Sequence, residues 1–247
     1  MIITDEQIKE STAFFKEALE ILAQSKISYL IGGAFAVFQY SGIYRNTKDL
    51  DVFCKYSDFP KILKFFKDKG FRVELTDARW LAKIFKGEYF IDLIFDTTNN
   101  ICKVDDSWFQ YATKGNFEGI EVMFLAPEEL IWLKSYVQNR ERFDGADINH
   151  VILKIGKNID WKRLMDRMDQ HWQILLAQII LFQFVYPADY SGIIPKWLFD
   201  ELIRRAHEHY ELPETADKIC RGPLIDQTQY AIDIKQWNYK VVTITTI

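Results

Sequence analysis

The chain is poor in the residues that staple small folds together. It has three cysteines in 247 residues, Cys54, Cys102 and Cys220. They are odd in number and far apart, so neither a disulfide framework nor a zinc spacing is present. Its four histidines, His150, His171, His207 and His209, make no metal pattern, and the last two stand two apart on a predicted helix, hence on different faces. The N-terminus shows no basic start followed by an apolar core and a small-residue cleavage site, so no signal peptide is read. Long apolar runs are missing too. The most apolar stretch, Trp172 to Tyr186, is short for a membrane span and contains Gln173, Gln178 and Gln183, which points to a buried core helix. There is no internal repeat and no low-complexity segment. The net charge of −4 lacks the positive excess of a protein that coats DNA or RNA nonspecifically. These absences leave a reduced, cytoplasmic protein with no membrane partner.

What is present is apolar and aromatic, 49% and 15% of residues. That is ample for one large core or two small ones. The chemistry gathers between Ile31 and Phe53. Ile27 to Ile31 is a short apolar run with the pattern of a buried strand. Gly32-Gly33 then lets the backbone turn sharply and approach something closely. Ala34 to Tyr40 has helix length, with Gly42 where a helix-ending glycine belongs. In Asp49-Leu-Asp51-Val-Phe53, the two acids alternate with strand formers, so both project from one face. Paired carboxylates repel unless a cation lies between them. A third acid, Asp92, interrupts the apolar strand from Tyr89 to Phe95, where a charge is costly to bury without a partner or metal. Asp-x-Asp alone is common on exposed strands and Gly-Gly alone is weaker still; the joint spacing is what carries the signal.

Gly32-Gly33, a helix, Asp49-x-Asp51 and a later strand Asp92 resemble the signature of the DNA polymerase beta-like nucleotidyltransferase superfamily. The fuller pattern Arg45-Asn-Thr47-Lys-Asp49-Leu-Asp51 resembles the toxin-type and abortive-infection (type IV toxin–antitoxin) members. These carry a downstream helix with Lys and Arg, then Asp-x-x-Asp, matched more loosely by Lys134, Arg140 and Asp144-Gly-Ala-Asp147. The resemblance covers directly the first half of the chain. It implies an α/β (α+β) fold: a small mixed β-sheet nucleotidyltransferase core with flanking helices, followed by a helical C-terminal domain. It also implies transfer of a nucleoside monophosphate from an NTP to an acceptor.

Along the chain, Thr4 to Gln7 reads as a capping box opening a helix to about Gln24, with Ile8, Phe14, Phe15, Leu19, Ile21 and Leu22 on its apolar face. Ser57 is expected to cap a second helix that stops at Gly70, and Phe71 to Leu75 to form a strand. Trp80 to Lys86 and Tyr89 to Phe95 should form a hairpin around Gly87, with Lys83 either facing a triphosphate or pairing with one of the acids. The run Lys55 to Arg72 is basic, the usual mark of a solvated helix face. Asp105 or Asp106 should cap a short helix, and Ile120 to Leu125 is read as the last strand. Ala126-Pro127-Glu128-Glu129 is a strong helix start, and places a boundary between a core, 1–125, and a helical domain, 126–247. Asp160 should cap Trp161 to Met168, and Pro195 should open Lys196 to Tyr210. Trp237 and Tyr239 are expected as core anchors near the end.

Between Lys134 and Arg167 there are eight Lys and Arg against five Asp and Glu. A positive surface facing the acids would suit a polyphosphate. A salt-bridged helical hairpin, with Asp144 and Asp147 pairing to Lys134 and Arg140, accounts for the same residues equally well.

The expected mechanism has Asp49, Asp51 and Asp92 holding two Mg2+ ions, with Mn2+ as an alternative. Gly32 and Gly33 present backbone N–H groups to phosphate. Asp92 also accepts the proton of the attacking hydroxyl. Arg45, Thr47, Lys83, Lys134, Arg140, Asp144 and Asp147 complete the nucleotide site. RNA ends or a protein hydroxyl are favoured as acceptor over a small molecule, and a neutralising partner protein fits the toxin-like pattern. The rival from another class is a catalytically inactive nucleotide- or protein-binding module on the same fold; it would have lost one of the three acids. A second rival is an enzyme acting at a different phosphorus, such as a pyrophosphate transferase.

Overall fold

The computed structural model describes residues 5–213 and 217–241. It forms two compact units, Met1–Ala126 and Pro127–Ile247.

The first unit is a mixed seven-stranded sheet flanked by helices. Helix α1 (Asp5–Ser25) leads into β1 (Leu30–Ile31), shorter than its apolar run suggested. Then come α2 (Gly33–Ser41), β2 (Asp49–Phe53), α3 (Phe59–Asp68), β3 (Arg72–Asp77), β4 (Leu81–Lys86) and β5 (Tyr89–Ile94). A short α4 (Asp106–Gln110) precedes β6 (Thr113–Phe117) and β7 (Ile120–Phe124). The strand order is β3-β4-β5-β2-β1-β7-β6. The β2–β5 and β1–β7 pairs are parallel and the others antiparallel.

Local chemistry explains most of these elements. Helix α2 ends on Gly42, whose φ of 74° and N–H bond to Phe38 O make a left-handed cap, a conformation glycine adopts without penalty. Gly87, at φ 60°, closes the β4–β5 hairpin as expected. Asp105 caps α4 by accepting from Ser107 N. The N-cap position of α3 is Asp58, not Ser57, with Pro60 in the first turn; the Asp58 side chain makes no cap bond and accepts from Lys61 Nζ at 2.7 Å. Strand β6 escaped sequence reading. Its Lys114, Gly115 and Asn116 have little strand propensity, and pairing with β7 through the Glu118-Gly119 turn decides it. Thr4 of the predicted capping box and the side chains of Gln7 and Ile8 lie outside the described residues.

The central strands have an apolar face and a face that carries the acids. Leu50 and Val52 of β2, Ile91 and Leu93 of β5, and Ala82 and Ile84 of β4 are fully buried. Helix α1 packs against α3 and the sheet with Phe14, Phe15, Leu19 and Leu22 buried. The alternating residues Asp49, Asp51 and Phe53 take the other face, where Phe53 stacks on the buried Trp108 at 5.8 Å between centroids.

The second unit is helical: α5 (Pro127–Ser135), α6 (Gly145–Ile155), α7 (Trp161–Met168), α8 (Trp172–Val185), α9 (Tyr190–Ile193), α10 (Lys196–Tyr210) and α11 (Ala231–Lys235). A two-stranded parallel ribbon joins β8 (Ile219–Cys220) to β9 (Lys240–Val241). Helix α5 packs against α6, α7 and α8 and is buried almost all round, Glu128, Glu129 and Lys134 included. It stops at Ser135, so Arg140 sits in the following loop and not on the helix as the sequence suggested. There Ser135 Oγ bonds back to Ile131 O, and Asn139 Oδ1 accepts from Glu141 N and Arg142 N. These local bonds offer the backbone an alternative to continuing the helix. The apolar α8 is buried along Leu175, Gln178, Ile179 and Phe182, yet Phe184 is 82% exposed, so only one face is core. Trp237 is no core anchor either, being 55% exposed. Among the described residues no helix is long and apolar enough to cross a membrane.

Candidate active site

The first unit brings the sequence-predicted glycines and acids together. The register of β2 on β5 sets Asp51 directly opposite Asp92 and Asp49 opposite Phe90. Strand β4 sets Lys83 opposite Asp92. Residues paired across a sheet share a face, so Asp49, Asp51, Asp92 and Lys83 form one polar group, with the exposed Glu74 of β3 in register with Lys83 at its edge. Each of the four is partly exposed.

The glycine turn is built against this group. Gly33 has a φ of 54°, and a Cβ there would lie 1.6 Å from Asp51 Oδ2. Only glycine lets the start of α2 approach that carboxylate so closely. Gly32 acts differently from expectation. Its N–H donates to Asp51 O at 3.0 Å and is therefore spent on the strand pairing. Its missing side chain instead makes room for the Phe53 ring, which a Cβ would meet at 2.3 Å. The N–H groups at the start of α2 ahead of Ala36, which donates to Gly32 O at 3.0 Å, have no acceptor within the helix, a place where an anion is favoured. Gly33→Ala is expected to cost about 1–2 kcal/mol from the left-handed backbone alone, and to displace the Asp51 carboxylate. Thermal unfolding and transfer assays on the variant should show both losses together.

Hydrogen bonds hold the acids. Thr47 Oγ1 donates to Asp49 Oδ1. Lys83 Nζ lies 2.5 Å from Asp92 Oδ1 and 3.8 Å from the centroid of the Phe90 ring. Burial pushes the Asp92 carboxyl above the ordinary range; Lys83 pulls it back and the charge of Asp49 pushes it further up. Arg45 stands exposed in the loop before β2.

An all-oxygen donor set on adjacent strands, beside a glycine that leaves room for a carboxylate, fits a hard divalent cation. The fit is one of register and donor chemistry. Among the described residues no three His, Cys, Asp or Glu side chains stand ready-assembled as a metal cluster, and the Asp92 carboxylate is engaged by Lys83.

Of the remaining predicted residues, Lys134, Asp144 and Asp147 meet inside the second unit. Lys134 Nζ lies 2.6 Å from Asp144 Oδ2 and 2.8 Å from Asp147 Oδ2, with all three side chains under a tenth exposed. Sequence reading missed Arg142, which bonds both Asp144 oxygens at 2.8 and 2.9 Å. Its position two residues before Asp144 was the available signal. Arg140 instead donates its backbone N–H to Asp226 Oδ2 at 3.2 Å. Burial alone would raise the Asp144 carboxyl, but Arg142 and Lys134 outweigh it and hold it below the ordinary value. Also unforeseen, Glu129, with no exposure, is held by Arg163 and Arg167, and Glu128 by Arg163.

Lys134→Ala would remove two buried ion pairs, leaving Asp144 to Arg142, and should lower stability by about 3 kcal/mol, measured by denaturant unfolding. The Asp144 contribution is fully present above its unfolded value of about 3.9. It is lost as pH falls from there through the lower folded value. An acid-limb melting series should show this loss in the native chain and a smaller one in Lys134→Ala.

A mixed sheet with a glycine turn at paired strand acids, followed by a helical unit, defines a nucleotidyltransferase-fold protein. A family model described as nucleotidyl transferase of unknown function (DUF2204) matches residues 11–172. The chain belongs to that family and is a nucleotidyltransferase enzyme. Among solved structures it is similar to the antibiotic-resistance factor ANT(2″)-Ia, with 13% identity and a TM-score of 0.45 over 82% of this chain and 99% of that one. It is similar to the lincosamide antibiotic adenylyltransferase LnuA in its lincomycin-bound form, with 16% identity and a TM-score of 0.41 over 60% and 96%. A third likeness is JHP933 from Helicobacter pylori, with 11% identity and a TM-score of 0.41 over 86% and 100%. No curated protein matches the chain.

Proposed function

We propose that the enzyme moves a nucleoside monophosphate from an NTP to a hydroxyl acceptor, with Asp49, Asp51 and Asp92 as the ligands of two Mg2+ ions. The observation that carries this is the register: Asp51 opposite Asp92, with Asp49 on the same face and Gly33 against Asp51. Bound there, the ions supply positive charge to the triphosphate and to the attacking and leaving oxygens of the displacement. The chain's own residues do the rest. The first-turn N–H groups of α2 bind phosphate oxygens. Thr47 holds Asp49 in place through its hydroxyl. Asp92 accepts the proton of the attacking hydroxyl. Arg45 and Lys83 bring positive charge to the leaving pyrophosphate.

The pattern from Arg45 to Asp51 supports an RNA end or a protein hydroxyl as acceptor, in a toxin-like enzyme with a neutralising partner. Labelled NTP offered to whole-cell RNA and protein fractions tests this directly. Label in either fraction, dependent on Mg2+ and lost in Asp51→Asn, is the expected result; label in neither, with a small hydroxylated acceptor labelled instead, overturns the acceptor. NTP titration of Lys134→Ala separates its two expected roles, because a purely structural lysine changes stability and leaves NTP affinity alone.

A further inference from the structure

The three acids share a face, and one of them is already engaged. One oxygen of Asp92 already has a cation, the ammonium of Lys83 at 2.5 Å. Both side chains are largely shielded, 21% and 15% exposed, so the pair is poorly screened by water. The lysine is also held from a second direction. Its Nζ lies 3.8 Å from the centre of the Phe90 ring, within cation–π range. Phe90 precedes Asp92 by two on β5 and so lies on the same face, paired in register with Asp49. The ammonium thus has two adjacent supports, a carboxylate and a ring, and can give up the first without entering bulk water.

We propose that Lys83 is a resident counter-cation that keeps Asp92 away from divalent metal, and that it must leave this carboxylate before an ion can use it. The inference rests on the reading of Asp92 as a metal ligand. A carboxylate oxygen donating to a metal and accepting from an ammonium at 2.5 Å serves two cations that repel each other. Metal binding therefore carries the cost of breaking the Lys83 contact, which lowers affinity in the nucleotide-free enzyme. Toward the metal, Lys83 acts through Asp92 and is a positioning residue. Retention over Phe90 keeps its charge beside the site for the triphosphate.

The test is Mn2+ titration of the nucleotide-free enzyme, following free Mn2+ by electron paramagnetic resonance. Lys83→Met keeps the methylene chain against Phe90 and removes the charge. It should tighten Mn2+ binding roughly tenfold, the scale of one nearby charge at a partly shielded site. Lys83→Gln provides the same reading if the methionine variant does not fold, and circular dichroism identifies the folded ones. Unchanged or weaker binding in a folded Lys83 variant overturns the proposal. Asp92→Asn, measured alongside, separates the two levels. If it weakens Mn2+ binding while the Lys83 variants leave it unchanged, the counter-cation fails and the metal-ligand reading stands. If Asp92→Asn binds Mn2+ as the native enzyme does, the metal-ligand reading fails and the proposal falls with it.

Discussion

Asp92→Asn is expected to slow single-turnover transfer by about a thousandfold or more, the scale seen when one preorganised electrostatic group is removed, while NTP still binds through the remaining groups. The size follows from two losses at one atom set: a metal ligand and the group that takes the hydroxyl proton. Asn keeps the shape and one oxygen, so the strand should not be disturbed. Burial already raises the Asp92 carboxyl, which means its charge is costly in the folded chain without metal. The neutral variant should therefore unfold no earlier than the native enzyme. The measurement pairs rapid-quench transfer with nucleotide binding. Normal transfer would make Asp92 a structural partner of Lys83 and nothing more.

The acid pair on β2 should give the largest effect of all. Asp49→Asn and Asp51→Asn should each abolish detectable nucleotidyl transfer and leave melting temperature level or raised. Two strand-adjacent carboxylates repel, and each substitution relieves that repulsion. The structure dictates the choice of asparagine for Asp51, whose Oδ2 fills the space beside Gly33 where even a methyl group would collide. A larger side chain would break the turn and confuse lost chemistry with lost folding. Near-native transfer in either folded variant would sink the two-metal reading.

Much of the first unit was legible because its signals are local. Gly42 and Gly87 mark a helix end and a hairpin, and both carry the positive φ that those roles require. Asp105, and Asp160 in the second unit, were readable as helix caps, since each accepts from a backbone N–H two or three residues on. The acids of β2 could be placed on one face from the period of a strand. Reading weakened where pairing with distant chain overrides local preference. Strand β6 is held by its hairpin with β7 and not by its own residues. Helix α5 stops at Ser135 through loop hydrogen bonds, which moved Arg140 off the helix and brought Arg142 to Asp144. Trp237 read as core from its hydrophobicity, but burial depends on what packs against a residue, and it lies exposed.

The sequence by itself determined the vocabulary of the candidate site: a glycine turn, two acids at strand spacing, a third acid in an apolar strand and a helical second half. Backbone propensity and side-chain alternation are properties of neighbouring residues, so a linear reading reaches them. Only tertiary structure decided how those parts are joined. The register of β2, β5 and β4 set Asp51, Asp92 and Lys83 side by side. The approach of α2 to β2 spent the Gly32 amide on the sheet and pressed Gly33 against Asp51. Packing around α5 turned Lys134, Asp144 and Asp147 into a buried ion group. Each depends on contacts between residues far apart in the chain, where the energy of burial and charge pairing, absent from any local window, chooses the partner.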